Sequence, residues 1–404
     1  MNILFLSLGE FESFARGSVH IDLMRRFAKE HNVYLMCKRE QRLNKETELC
    51  DESGIHVLHV KTSNMKNIGL LRKGLATLSV EYVFKRALKK YFSDVNFDLV
   101  VYTTPPITFA KVVEFVKKRD NARSYLLLKD IFPQNAVDLG MFKSDGFVYK
   151  FFRRKEMKLY KVSDFIGCMS PANVRFVLDH NDFVSPNQVE VAPNSIEVAH
   201  DVISDDERLK LRSEIRKKYA LPQDKPIFIY GGNLGKPQGI SFLLKCLESL
   251  QGRNDIHFVI AGNGTEFGSL ENWLNASKQN NVTLFKQLPR GDYETLVNTC
   301  DVGLIFLDHR FTIPNYPSRL LSYLAAKMPI IAATDPNTDI GSIAQENGYG
   351  YWCESNDVDA FGECIDKILV SDRVRMGENG YRFLLANYQV DNTYDVIMKH
   401  VRGN

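Results

Sequence analysis

Short apolar runs of β-forming residues alternate with helical patterns almost from one end of the chain to the other, and this alternation restricts the fold more than any other feature. Strands that take turns with helices imply βαβ units, in which a crossover helix returns the chain to start a parallel neighbour. In the first half the runs are NILFLSL, NVYLMC, IHVLHV, DLVVYT, RSYLLL, DFIGCM and VEVAPN. Between them apolar residues recur at helical spacing with charges on the other face, as from Val19 to Lys29 and from Phe109 to Arg119. After Asn194 the texture changes: Asp201 to Lys218 is densely charged, LPQDKP punctuates, and a second series begins with IFIYGG, HFVIAGNG, VTLFKQL, VGLIFL and MPIIAAT. The pattern predicts an α/β chain of two Rossmann-like, doubly wound domains over residues 1–197 and 198–384, with the boundary near Ser195. A last amphipathic helix, around Tyr381 to His400, has no strand after it, and residues from about 385 to 404 are available to pack back on the first domain.

The length of 404 residues agrees with two domains, because single cores stop growing at roughly 250 to 300 residues. With 44% hydrophobic and 25% charged residues the chain sits near the globular average, which excludes disordered, collagenous and coiled-coil readings. A net charge of +3 is slight, so nucleic acid is not favoured and an anionic partner must be met by local basic patches. Cys37, Cys50, Cys168, Cys246, Cys300, Cys353 and Cys364 show no CxxC spacing or matching histidines, and they read as reduced core thiols in a cytoplasm. MNILFLSLGE has no basic residue ahead of its apolar run and no small-residue cleavage site behind it, so it reads as a buried strand and not a signal peptide. No stretch approaches the ~20 apolar residues of a membrane span, and membrane contact is expected to be peripheral.

In doubly wound sheets ligands lie outside the carboxyl ends of the strands at the switch points, so chemistry is sought in the strand-end loops and in the crevice between domains. PIFIY runs into GGNLGKPQG and then the helix ISFLLKCLESL. Glycines here, Gly232 among them, allow tight turns and close backbone approach; Lys236 adds a charge, and the helix start offers unpaired amides to a phosphate. The loop matches neither GxGxxG nor the P-loop pattern, and an ordinary glycine-rich βα turn is its other reading. Gly262, Asn263 and Gly264 form a second glycine turn after the next strand, while Leu288, Pro289 and Arg290 are placed to present backbone groups to a nucleobase. Tyr316, Pro317, Ser318 and Arg319 open a helix, and the planar fork of Arg319 suits a diphosphate.

That succession resembles the carboxyl-terminal lobe of the GT-B glycosyltransferases of family 4, and in particular its bacterial polysaccharide branch, which includes amino-sugar transferases of capsule and O-antigen assembly. YGGNLGKPQGISFLL, FVIAGNGTEFGSLE, LPRGDYETLVNTCDVGLIFL and YPSRLLSYLAAKMPII carry the resemblance in the second half; LLLKDIFPQNAVDLG, DFIGCMSPAN and VEVAPNSIEV carry it in the first. It implies the GT-B fold, two Rossmann-like domains facing a central cleft, and a nucleotide sugar, usually a uridine one, bound mainly by the second lobe. It further implies retention at the anomeric carbon, no metal and no other cofactor. The family's arginine and lysine in the first diphosphate loop fall on Asn233 and Gln238, leaving Lys236 as the nearby cation. Its two motif glutamates fall on Pro314 and Ser322, and the second of them normally holds the ribose. Arg319 stands where relatives commonly carry a lysine, which keeps the charge. In the first lobe Gly17, Ser18 and His20 resemble the glycine-rich segment that approaches the donor phosphate, and Lys129 and Asp130 fall near the transferred sugar. His20 and Asp130 each have a structural reading too, as a helix-face histidine and a turn residue.

In such a retaining reaction the donor's own phosphate can take the acceptor's proton, so that catalysis rests on electrostatic stabilisation of the leaving diphosphate and on positioning. Two stretches, Met65 to Phe92 and Phe147 to Lys161, interleave basic and apolar residues and suit an anionic inner-membrane surface, consistent with a lipid-linked acceptor. A nucleotide-sugar epimerase of the same fold and a degenerate, non-catalytic transferase lobe are the alternatives.

Overall fold

The computed structural model describes residues 1–11, 13–65, 70–198, 204–277 and 279–402. The chain divides into two units: Met1–Glu197 with Gln389–Asn404, and Val198–Tyr388. Unit 1 is built on β1 (Asn2–Leu6), β2 (Asn32–Glu40), β3 (Glu48–Glu52), β4 (Ile55–Thr62), β5 (Leu99–Thr103), β6 (Arg123–Leu128), β7 (Phe165–Cys168) and β8 (Val189–Val191). They lie in the order β3, β4, β2, β1, β5, β6, β7, β8. Unit 2 is built on β9 (Ile227–Gly231), β10 (His257–Ala261), β11 (Val282–Phe285), β12 (Val302–Phe306), β13 (Ile330–Thr334) and β14 (Gly350–Glu354). These are all parallel, in the order β11, β10, β9, β12, β13, β14. Central strands such as LVVYT, IFIYG and VGLIF are buried at every position, as a parallel sheet covered by helices on both faces demands.

Two edge strands escape an apolar-run reading. ELCDE of β3 has no buried residue, and it pairs antiparallel with β4 through the turn at Ser53 and Gly54, whose φ angles of 54° and 77° make a tight hairpin. GYWCE of β14 is only partly buried at the far edge of the other sheet. The expected last helix is in fact two, Arg373–Asn387 and Val390–Arg402. The break follows from unit 1: the amide of Val390 is drawn to the carbonyl of Ile196 at 3.1 Å, and Gln389 bridges to the same residue.

From there Val390, Tyr394, Ile397 and Met398 enter the core of unit 1 with Phe27 and Leu23 of the helix Val19–Ala28. Tyr394 is fully buried; the guanidinium of Arg26 lies 3.7 Å from its ring centre and its hydroxyl meets His31 at 3.0 Å. Further along, His400 stacks on Phe165 at 3.7 Å and reaches Glu190 at 2.7 Å. No helix among the described residues is long and apolar enough to cross a membrane. Truncating Tyr394 to Ala is therefore expected to destabilise unit 1 by about 3–5 kcal/mol, the scale of a lost core aromatic. Urea unfolding checks it, and a loss below about 1 kcal/mol would show that the returning helix is not part of the core.

Candidate functional site

In unit 2 the strand order reverses between β9 and β12, so the loops after these strands are neighbours. The amide of Asp308, after β12, donates to the carbonyl of Pro237, after β9, at 3.0 Å. β9 is followed by Gly232, whose φ of 133° a side chain would strain. From there the loop is zipped to the one after β10: Gly232 N–H donates to Ala261, Leu234 N–H to Asn263 and Glu266 N–H back to Leu234, at 2.9, 3.0 and 2.9 Å. A Cβ on Gly262 would fall 1.8 Å from the carbonyl oxygen of Gly232, and one on Gly264 2.3 Å from that of Leu234. Both glycines thus act from beneath the first loop by letting two backbones meet. Asn233 and Gln238 bond each other at 2.9 Å, and the same Gln238 oxygen accepts the amide of Gly235 at 3.3 Å, which closes the loop on itself. Lys236 is exposed and has no ion pair among the described residues.

Arg319 opens the short helix Arg319–Ala325 and returns over this loop. Its guanidinium carbon lies 4.3 Å from the ring centre of Tyr230, and Nη2 would stand 3.1 Å from a Cβ on Gly232. Nη1 is buried without a hydrogen-bond partner, and no carboxylate among the described residues pairs with the group. Tyr230 donates to the carbonyl of Asn233 at 2.8 Å, while the Tyr323 hydroxyl donates to Ile229 and accepts from the amide of Gly231, both at 3.2 Å. Asp308 accepts Arg310 at 2.8 and 2.7 Å.

The remaining expected residues of unit 2 fall around this centre in different ways. Tyr316 turns inward, its hydroxyl 2.5 Å from that of Tyr388. Pro317 is half-buried, and Ser318 and Ser322 are exposed. Leu288 is half-buried at the end of the β11 loop; Arg290 is exposed and bonds Glu294 at 2.9 Å, along its own helix Arg290–Thr299. The loop bearing Asn315 is pinned from behind, since its amide donates to Thr338 Oγ1 at 2.9 Å and Asn337 holds the carbonyl of Phe311 at 2.8 Å. Asp335 organises that anchor by accepting the amides of Asn337 and Thr338, and burial pushes its carboxyl up to about 6 in spite of them.

In unit 1 the reversal lies between β1 and β5. Ser18 caps the helix Val19–Ala28 through the amide of Ile21, and Asp22 accepts the amides of Ser18 at 3.2 Å and of Glu197 at 3.1 Å. A Cβ on Gly17 would fall 2.6 Å from Asp22 Oδ1, so this glycine lets the turn close on its carboxylate. His20 is half-buried against Phe5 and Phe11. Burial, then the charge of Lys129, lowers its pKa to about 3, so it is neutral. Lys129 donates to Asn194 Oδ1, and burial lowers its ammonium to about 7. Burial raises Asp130 to about 6, partly offset by the Asn135 amide at 2.8 Å. Thr104 Oγ1 accepts the amides of Lys129 and Asp130 and donates to the Asp130 carbonyl, which fixes the turn.

Residues 212–383, which carry β9 to β14 and the loops just described, match the family model of glycosyl transferases group 1. Over 329 residues the chain is 25% identical to the probable glycosyltransferase WbjE of Pseudomonas aeruginosa, spanning 79% of this chain and 77% of that protein. The chain is a glycosyltransferase. Sucrose-phosphate synthase from Thermosynechococcus elongatus superposes with a TM-score of 0.75 at 14% identity, over 100% of this chain and 98% of that one. Anabaena HepE, solved with UDP and glucose, gives 0.69 at 14% identity over the whole of both chains. These likenesses identify the fold as GT-B.

Several residues that shape this glycosyltransferase's strand-end loops carry no motif: Tyr230, Tyr293 and Tyr323 around Gly231, and Asp22, Thr104, Asn135 and Asp335 behind the other turns. Only Asp335, in TDPNTD, has a local signal, that of an Asx turn. Because Gly262 meets backbone and not a flexible side chain, Gly262→Ala should cost about 1–3 kcal/mol by overpacking. Gly268→Ala, in open space on the helix Phe267–Ser277, should be neutral or slightly stabilising. Equal unfolding midpoints for the two variants would refute the crossing of the loops.

Proposed function

We propose that this glycosyltransferase moves a sugar, an N-acetylated amino sugar, from a uridine diphosphate donor held by unit 2 onto a glycan carried on polyprenyl diphosphate, in the assembly of a bacterial surface polysaccharide. The observation that carries the donor assignment is the guanidinium of Arg319, stacked on Tyr230 over the bare backbone of Gly232 with no carboxylate among the described residues to neutralise it. A half-buried cation without a counterion is costly, and a diphosphate supplies two. Lys236 and the start of the helix Ile240–Ser249, which Gly239 leaves without a side-chain cap, add positive potential to the same loop. The UDP and glucose bound by HepE support uridine among the nucleotides, and the motif succession supports the polysaccharide branch.

The reaction retains the anomeric configuration and uses no metal: the donor phosphate takes the acceptor's proton, and Arg319, Lys236 and the loop amides stabilise the leaving diphosphate. His20, Lys129 and Asp130 of unit 1 serve the acceptor and the transferred sugar. The lipid of the acceptor fits a surface of unit 1 where Phe147 is 80% and Tyr82 70% exposed, among Arg86, Lys89, Lys150, Arg154 and Lys158, all exposed. Lys155 and Glu81, 3.2 Å apart, tie the two helices that carry this surface, Phe147–Val162 and Leu70–Tyr91; Arg153 is taken by Glu156 at 2.7 Å. The structure describes the backbone of Leu70, Leu71, Arg72 and Lys73 but not the side chains whose contribution is expected here. The chain thus works at the inner face of the membrane, attached from the cytoplasm.

UDP at a hundredfold excess over its dissociation constant should stabilise the chain by about 2.7 kcal/mol, and Arg319→Ala and Lys236→Ala should each weaken its binding by about 1.5–3 kcal/mol. Thermal shifts with UDP, GDP and ADP test this, and no shift with any of the three would sink the donor assignment. At low salt the chain should float with vesicles of anionic lipid, where roughly 1 kcal/mol is available per basic residue. The double substitution Lys150→Glu with Arg154→Glu should abolish flotation; flotation unchanged by it would remove this surface from the membrane.

A further inference from the structure

Three tyrosines surround Gly231 at the tip of β9, and their hydroxyls are not equivalent. Tyr230 and Tyr323 spend theirs on backbone carbonyls of their own unit. The Tyr293 hydroxyl has no hydrogen-bond partner among the described residues, and a Cβ on Gly231 would lie 1.8 Å from its oxygen. The missing side chain of Gly231 is therefore what admits this hydroxyl to the strand tip, one residue before the backbone that Arg319 covers. The ring is held in place. Its helix, Arg290–Thr299, is pinned at the preceding residue, where Asp292 accepts Lys218 at 2.6 Å and the Tyr219 hydroxyl.

We infer that Tyr293 is a donor-binding residue, which gives its hydroxyl hydrogen to a phosphate oxygen of the nucleoside diphosphate that Arg319 attracts; this rests on the donor reading above. A phenol suits the position because it donates without adding a charge next to the guanidinium. Burial holds its pKa above the ordinary range, so the proton stays on the oxygen at neutral pH. The residue also helps explain how the loop can bind a nucleotide with Asn233 and Gln238 bonded to each other: a donor from the neighbouring helix supplements Arg319 and Lys236.

The test is calorimetric titration of the full chain and of Tyr293→Phe, which keeps the ring, with UDP and with uridine. The expected result is an unchanged melting temperature, an affinity for UDP lower by about tenfold or more, the scale of a hydrogen bond to a charged group, and an unchanged affinity for uridine. UDP binding equal to that of the wild type overturns the inference while leaving the donor reading intact. A parallel fall for uridine overturns the phosphate contact and moves the hydroxyl to the nucleoside. A wild-type chain without affinity for UDP overturns the donor reading and the inference with it.

Discussion

Arg319 stands over the ring of Tyr230 with one guanidinium nitrogen buried and unpartnered, and the strand tips of unit 2 are arranged so that this cation can be kept without a carboxylate. Dispersion and the ring's quadrupole hold the flat guanidinium, and the phenols of Tyr293 and Tyr323 bring their hydroxyls to the adjoining Gly231. A lysine in the same place would gain less from the aromatic face. The presence of arginine therefore goes together with proline at 314 and serine at 322, where the resemblance implies glutamates. Without those carboxylates no acidic group among the described residues pairs with the positive charge at 319, and the ring of Tyr230 is the group it rests on.

Unit 1 solves a different problem. His20, Lys129 and Asp130 all sit at strand or helix ends where burial favours the uncharged form of each: it lowers the imidazole to about 3 and the ammonium to about 7 and raises the carboxyl to about 6. Burial, and not a counter-charge, is the largest cause of each shift. The geometry of the cluster depends on Thr104 and Asn135, which hold the Lys129–Asp130 turn from the side. Asn194, reached by Lys129, lies within the segment to which the returning helix Val390–Arg402 is bonded, between Pro193 and Ile196. The core residue Tyr394 and the polar turn are thus linked through one stretch of backbone.

The fold class was legible because parallel strands covered on both faces must be apolar throughout, and runs such as NILFL, LVVYT and VGLIF could hardly be anything else. The edge strand ELCDE carries no such constraint, since one side of its ladder and most of its side chains meet water. The helix break at Tyr388 was also hidden, because local propensity continues across it and only the distant carbonyl of Ile196 ends it. In the site, glycine patterns marked which loops matter. They did not tell which glycines face outward: Gly262 and Gly264 look like ligand contacts in sequence, yet their missing side chains admit the carbonyls of Gly232 and Leu234.

The same limit explains Tyr293. In sequence it is one of seventeen tyrosines, on a helix whose neighbours Arg290 and Glu294 spend their charges on each other. Its significance arises from a glycine 62 positions earlier in the chain, reduced to a bare α-carbon at the point where the phenol arrives. Strand-end glycines in this fold are read by habit as room for a ligand; here the space at one of them is filled by the protein's own hydroxyl. What the sequence hides is therefore the partition of that room between ligand and side chain, which depends on the packing of helix Arg290–Thr299 against the sheet and not on any local pattern.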